Sequence, residues 1–148
     1  MRKHNRGGCI LLVDDNLDDI ELTKRAFRRS ALGNRLITKR DGQEALDYLL
    51  GTGKGTGPAP LPDLMLLDLN MPKLDGLEVL RRMRAAERTR SLPVVVLTTS
   101  DEQRDIAASY RLGANSYIRK PVDMRDFMEA IQCVEKYWTI RNLPPAQN

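Results

Sequence analysis

ILLVDDN, Ile10 to Asn16, is the stretch on which the fold turns. With Cys9 before it, an apolar run carrying β-branched Ile10 and Val13 stops on two adjacent aspartates, Asp14 and Asp15. A run this short and this apolar reads as a strand covered on both faces. Neighbouring carboxylates repel, so a buried strand that ends on a pair of them is expected to have something for them to hold.

The same grammar recurs downstream. Helical spacing over Leu17 to Ala31 sets Ile20, Ala26, Phe27 and Ala31 broadly on one face, and Gly33-Asn34 ends it. Arg35–Lys39 reads as a second strand, followed by an Asp41-Gly42 turn and a helix through Ala45, Leu46, Leu49 and Leu50. Leu64–Leu67 is a third strand, ending on Asp68, and helical spacing resumes at Leu77, Val79, Leu80 and Met83. Pro93–Leu97 is a fourth, ending on Thr98-Thr99-Ser100, before a helix from Asp101 with Ile106, Ala107 and Tyr110. Asn115–Ile118 is a fifth, ending at Arg119-Lys120-Pro121. The last helix starts near Asp123 and aligns Met124, Phe127, Met128, Ile131 and Val134. Five strand–helix units in alternation predict an α/β fold, a doubly wound parallel sheet with helices on both faces. Right-handed crossovers leave few arrangements, and the flavodoxin-like (βα)5 order 2-1-3-4-5 is the expected one.

Composition narrows the function classes. The chain has 148 residues, 41% hydrophobic and 30% charged, which suits one domain. No apolar run is long enough to span a bilayer or to serve as a signal peptide after MRKHNRGG, so no membrane association and a cytoplasmic address are expected. Net charge is +4, but the basic residues are scattered over helix-patterned segments, and no nucleic-acid surface is expected. Cys9 and Cys133 read as buried reduced thiols. A single histidine, His4, excludes a His-dependent triad or a multi-His metal site. The loop GTGKGTGPAPLP, Gly51 to Pro62, lacks the Ser/Thr and helix of a P-loop and the third glycine of a dinucleotide fingerprint.

In a parallel sheet every strand that precedes a helix delivers its C-terminal end to one edge, where ligands bind. That edge collects Asp14 and Asp15 from strand one, Asp68 from strand three, Thr98 from strand four and Lys120 from strand five. Three carboxylates suit a hard divalent cation such as Mg²⁺, and without one their crowding raises the proton affinity of at least one acid. A hydroxyl and an ammonium add nothing to metal binding alone. They make sense around a phosphoryl group, with a carboxylate as the nucleophile.

On these residues the chain resembles a bacterial two-component response regulator receiver domain, from about Cys9 to Lys136. The matching pieces are VDDN, the block LDLNMPKLDG (Leu67 to Gly76), LTTS at the end of strand four, and YIRKP at the end of strand five. The resemblance implies that Asp68 accepts a phosphoryl group from a sensor histidine kinase. It implies Mg²⁺ ligation by Asp15 and Asp68, with Asp14 through water and Asn70 through its backbone carbonyl. Lys120 would bind a phosphoryl oxygen, with a cis bond before Pro121. Thr98 and Tyr117 would be the switch residues, acting on the face of helix four, strand five and helix five.

Residues 1–8 then form an N-terminal tail, 9–136 the receiver, and 137–148 an extension carrying Trp138, Ile140 and Leu143 before Pro144-Pro145. A chain of this length has no room for an output domain, so the signal is expected to leave by protein contact. A long segment before strand three and a C-terminal arm are similar to the single-domain partners of bacterial phytochrome kinases, which often form homodimers through the helix 4–strand 5–helix 5 face. Two alternatives stand beside this reading. A haloacid-dehalogenase-like phosphatase also uses an aspartate after a strand, but needs a second Asp where this chain has Asn70. A phosphorylation-independent interaction module would not need Asp15, Asp68, Thr98 and Lys120 together.

Overall fold

The computed structural model describes residues 8–53 and 57–143. Most of the N-terminal tail, Lys54 to Thr56 of the Gly/Pro-rich loop, and Pro144-Pro145 lie outside the described residues. The elements are β1 (Cys9–Val13), α1 (Leu17–Arg29), β2 (Arg35–Lys39), α2 (Gly42–Leu50), β3 (Leu64–Leu67), α3 (Gly76–Ala85), β4 (Val94–Thr98), α4 (Gln103–Arg111), β5 (Ser116–Arg119) and α5 (Met124–Lys136). All strand pairs are parallel and the order is β2-β1-β3-β4-β5, as expected. A short 3₁₀ turn at Glu87–Thr89 and a π-type turn at Tyr137–Arg141, neither expected, complete the chain.

Alternation along the central strands divides the apolar residues into two cores. Leu11, Val13, Met65, Leu67, Val94 and Val96 face α2 and α3, meeting Ala45, Leu46, Leu49, Val79, Leu80 and Met83. Ile10, Leu12, Leu64, Leu66, Val95 and Leu97 face α1 and α5, meeting Ile20, Ala26, Phe27, Phe127, Met128 and Ile131. Each Leu, Ile, Val, Phe or Met among them, fully buried, contributes roughly 1.5–3 kcal/mol. Both faces of the middle strands are therefore committed to packing, and chemistry is confined to the strand ends.

Helix starts are set by short polar side chains. Asn16, Asp41, Asp75 and Asp123 cap α1, α2, α3 and α5 by accepting a backbone N–H from the first turn. Asp75, before Gly76, is thus a helix cap. Gly76 is required by space: a Cβ there would stand 2.3 Å from the Asp68 carbonyl oxygen and 2.8 Å from Leu69 Cα. Gly76→Ala is expected to lower stability by about 1–3 kcal/mol, read as a shift in the urea midpoint.

The described end of the Gly/Pro-rich loop is tied to the domain at Ala59. Arg88 donates through Nε to the Leu49 carbonyl at 3.0 Å and through Nη2 to the Ala59 carbonyl. Gly51 takes the left-handed conformation, φ 72°, that ends α2. At the same, N-terminal edge of the sheet, buried Glu135 accepts from Asn34 at 2.6 Å, and burial pushes its carboxyl above the usual range.

Three packing expectations are corrected. Cys133 is exposed and Cys9 half-buried, both as free thiols, because Cys133 points away from the face of α5 that carries Phe127 and Ile131. Met124 is 53% exposed at the first position of α5, its sulfur 4.0 Å from Arg25 of α1 rather than in the core. On α4 only Ser109 is buried, and Ala107 and Tyr110 face outward. The extension divides: Trp138 packs against the α1–α5 core with Tyr137 edge-on at 5.2 Å, while Tyr137, Ile140 and Leu143 remain exposed.

Candidate functional site

The strand ends are held by ladders that run one residue past the strands. Asp14 N–H donates to the Lys39 carbonyl at 3.0 Å, Asp68 N–H to the Val13 carbonyl at 3.0 Å, and Lys120 N–H to the Thr98 carbonyl at 2.6 Å. The acidic residues and the lysine are therefore fixed by backbone pairing before any side chain is considered. Asp14, Asp68, Thr98 and Lys120 are buried, and Asp15 is half-buried.

Lys120 organises the crevice. Its Nζ donates to Asp19 Oδ2 at 2.7 Å, to Asp14 Oδ2 at 2.8 Å and to Asp68 Oδ2 at 3.5 Å, so its three N–H bonds meet three carboxylates. Burial disfavours the ammonium, but the hydrogen bonds to Asp14 and Asp19 and the nearby carboxylate charges outweigh it and hold the pKa above the usual lysine value. Asp14 is pushed up to about 6. Burial is the largest cause, opposed by Lys120 and the Asn16 amide, and the charge of Asp68 is a minor contribution. The expected rise at one acid is present, with desolvation rather than crowding as its main source.

Carboxylate oxygens of Asp14, Asp15 and Asp68 lie within 4.8 Å of one another. This all-oxygen donor set, beside an exposed Asn70, fits a hard divalent cation. Asn70 takes part in a second way: its N–H donates to Asp68 Oδ1 at 3.3 Å and its side-chain amide to Thr98 Oγ1 at 3.2 Å. Tyr117, half-buried, donates its hydroxyl to the Ser100 carbonyl at 2.8 Å, and Ser100 Oγ in turn donates to Asp105 at 2.6 Å. Thr98 thus begins, and the Tyr117 hydroxyl holds, the loop that leaves β4. The Lys120–Pro121 bond is trans, correcting the cis expectation: there is no cis peptide among the described residues. Trans is the lower-energy isomer even before proline, and Lys120 reaches its carboxylates without the other.

Asp19 is the participant that sequence reasoning missed. It sits in the first turn of α1, where an acid is ordinarily credited to the helix dipole. The available signal was its place four residues after Asp15, one turn along a helix that starts at the crevice.

A parallel sheet of this order with an aspartate, a hydroxyl and a lysine at successive strand ends defines a phosphoacceptor domain, and the chain belongs to the response regulator receiver domain family, whose model matches residues 10–132. Its relatives agree along nearly the whole chain. It is 43% identical over 137 residues to the "probable methanogenesis regulatory protein FilR2" of Methanothrix harundinacea, covering 92% of this chain and 86% of that protein. It is 40% identical over 129 residues to response regulator Rcp1 of Synechocystis sp., covering 87% of each. Among solved structures, the phosphorylated cyanobacterial phytochrome response regulator RcpA superposes with a TM-score of 0.89 at 38% identity, covering 95% of this chain and 99% of that one. The Mn²⁺-bound form of Rcp1 superposes at 0.86, with 38% identity over 94% of this chain and 99% of that one. The receiver assignment, the two-component signalling role and the divalent-metal site are thereby borne out, and the phosphatase alternative is not favoured. Among the described residues no helix is long and apolar enough to cross a membrane.

Proposed function

We propose that this chain is a single-domain response regulator, phosphorylated on Asp68 by a sensor histidine kinase with Mg²⁺ held by Asp14, Asp15, Asp68 and the Asn70 backbone carbonyl. The observation that carries the reading is the convergence of the Lys120 ammonium on the Asp14 and Asp68 carboxylates at one strand edge. A carboxylate oxygen of Asp68 attacks the phosphorus, the phosphorus–nitrogen bond to the donor histidine breaks, and that nitrogen leaves with the bonding electron pair. The bound cation would neutralise phosphoryl oxygens during transfer. Lys120 supplies a donor to one phosphoryl oxygen and Thr98 a hydroxyl to another, which requires Thr98 to turn from Asn70. Tyr117 follows by exchanging the Ser100 carbonyl for the space behind Thr98.

The receiver spans 9–136 and the segment 137–148 is an extension from it. The domain catalyses only its own phosphorylation and dephosphorylation, acts in the cytoplasm, and binds no nucleic acid. Similarity to the cyanobacterial phytochrome response regulator RcpA and to the bacteriophytochrome response regulator RtBRR supports a bacterial phytochrome as the kinase. A homodimer through α4, β5 and α5 is supported by the outward-facing Ala107 and Tyr110 on α4. Incubation with acetyl phosphate, followed by intact mass, tests the core of the proposal. A phosphoryl adduct that needs Mg²⁺ is expected, and its absence with a donor competent toward another receiver would leave the interaction-module reading standing. Sizing chromatography of the same samples reads dimer formation.

A further inference from the structure

Lys120 is shared unequally: Asp19, outside the metal-binding set, and Asp14 are its near partners at 2.7 and 2.8 Å, and Asp68 is the distant one. Its ammonium is 2.7 Å from Asp19 and 3.5 Å from Asp68, although Asp68 is the residue a phosphoryl group joins. Asp19 enters from α1, while the strand ends supply the other carboxylates. Its backbone is separately engaged: the Asp19 N–H donates to Asn16 Oδ1 at 3.0 Å and its carbonyl accepts from Thr23 at 2.8 Å. The carboxylate is therefore not needed for the helix cap, and its described partner is Lys120.

We infer that Asp19 is a positioning residue that draws the Lys120 ammonium off Asp68, keeping the Asp68 carboxylate open for the divalent cation until a phosphoryl group arrives. The inference rests on reading the site as a metal-dependent phosphoacceptor. The physical reason is competition. An ammonium and a divalent cation cannot both sit close to one carboxylate without repelling, and at these separations even a shift of about 1 Å changes a charge interaction noticeably. Asp19 adds to Asp14 a second near carboxylate, 2.7 Å from the ammonium, that holds it away from Asp68. When a phosphoryl group carries new negative charge to Asp68, the balance reverses and the lysine has a reason to move toward it.

Mg²⁺ binding to the full chain, measured by calorimetry, tests this. Asp19→Asn is expected to weaken Mg²⁺ roughly three- to tenfold, because the lysine relaxes onto Asp68 and one negative charge is lost. Asp19→Glu, which keeps a carboxylate within reach of the lysine, is expected to recover most of the affinity. At saturating Mg²⁺, capture of beryllofluoride as a phosphoryl analogue is expected to remain at native strength or better in Asp19→Asn, a split that a merely misfolded crevice would not produce. In a Lys120→Met background the Asp19→Asn effect is expected to shrink below about twofold. An undiminished effect there overturns the inference, since Asp19 would then act only as a charge, and so does native Mg²⁺ affinity in Asp19→Asn. If the native chain bound no Mg²⁺, the metal-dependent reading itself would fall as well. Thermal melts of each variant report folding alongside.

Discussion

Asp68→Asn is expected to abolish phosphorylation by acetyl phosphate completely, with the intact-mass adduct falling to background at any Mg²⁺ concentration. An amide oxygen is a far weaker nucleophile than a carboxylate oxygen. Position matters as much as chemistry. Asp68 is buried at the end of β3, its N–H anchored to the Val13 carbonyl, and no other carboxylate can take its place without moving a strand. Asp15 is half-buried, and Asp14 is held tighter by Lys120 than Asp68 is, at 2.8 Å against 3.5 Å, so neither is placed to substitute. The variant should remain folded, because Asn matches Asp in shape and one buried charge is removed beside two others. An adduct persisting at a different aspartate, located by peptide mapping, would refute the assignment of Asp68.

Lys120→Met is expected to destabilise the metal-free protein by about 3 kcal/mol at pH 7, since a buried charge loses its counter-ion. The pH dependence distinguishes this from simple loss of packing. Asp14 already has a carboxyl raised to about 6 by burial while Lys120 is present, and removal of the ammonium raises it further. A raised carboxyl pKa means that the native state holds a proton which the unfolded chain has released. Stability is therefore lost as pH rises through the folded value and is regained as pH falls toward the ordinary value near 3.8. Lys120 itself contributes in the opposite manner: its raised value makes its contribution complete at every pH below the ordinary lysine value, 10.5. The deficit of the variant should accordingly shrink between pH 7 and pH 5 in urea titrations. Added Mg²⁺ should also reduce it, by supplying positive charge. A deficit independent of pH would mean that Lys120 matters for its methylenes alone.

Much of this molecule was legible in its sequence because the signal was local. Each buried strand is a short apolar run, and a parallel sheet sends all their ends to one edge, so Asp14, Asp68, Thr98 and Lys120 could be gathered from order alone. What escaped was whatever depends on how elements approach one another. Asp19 is a first-turn acid by sequence and a lysine ligand only because α1 leans over the β5 end. Strand boundaries for β4 and β5 fall one residue later than the apolar runs, because the ladder ignores hydropathy: Thr98 and Arg119 still pair. The outward turn of α4 was hidden for a related reason. Ile106, Ala107 and Tyr110 have helical spacing, but this helix packs only its edge against the domain, and spacing does not reveal how much of a face is covered.

The charge arrangement of the crevice has a kinetic consequence. A chain with net charge +4 gathers, among the described residues, the carboxylates of Asp14, Asp15, Asp19 and Asp68 around the one ammonium of Lys120, which leaves negative charge in excess in the crevice itself. An anionic phosphodonor approaching the bare crevice is repelled at short range, although the molecule as a whole attracts it. A divalent cation meets no such barrier, and its arrival removes most of the excess. The two reactants are thus sorted by sign into a sequence, cation first and phosphodonor second. Phosphorylation is therefore expected to rise with free Mg²⁺ as well as with the phosphodonor.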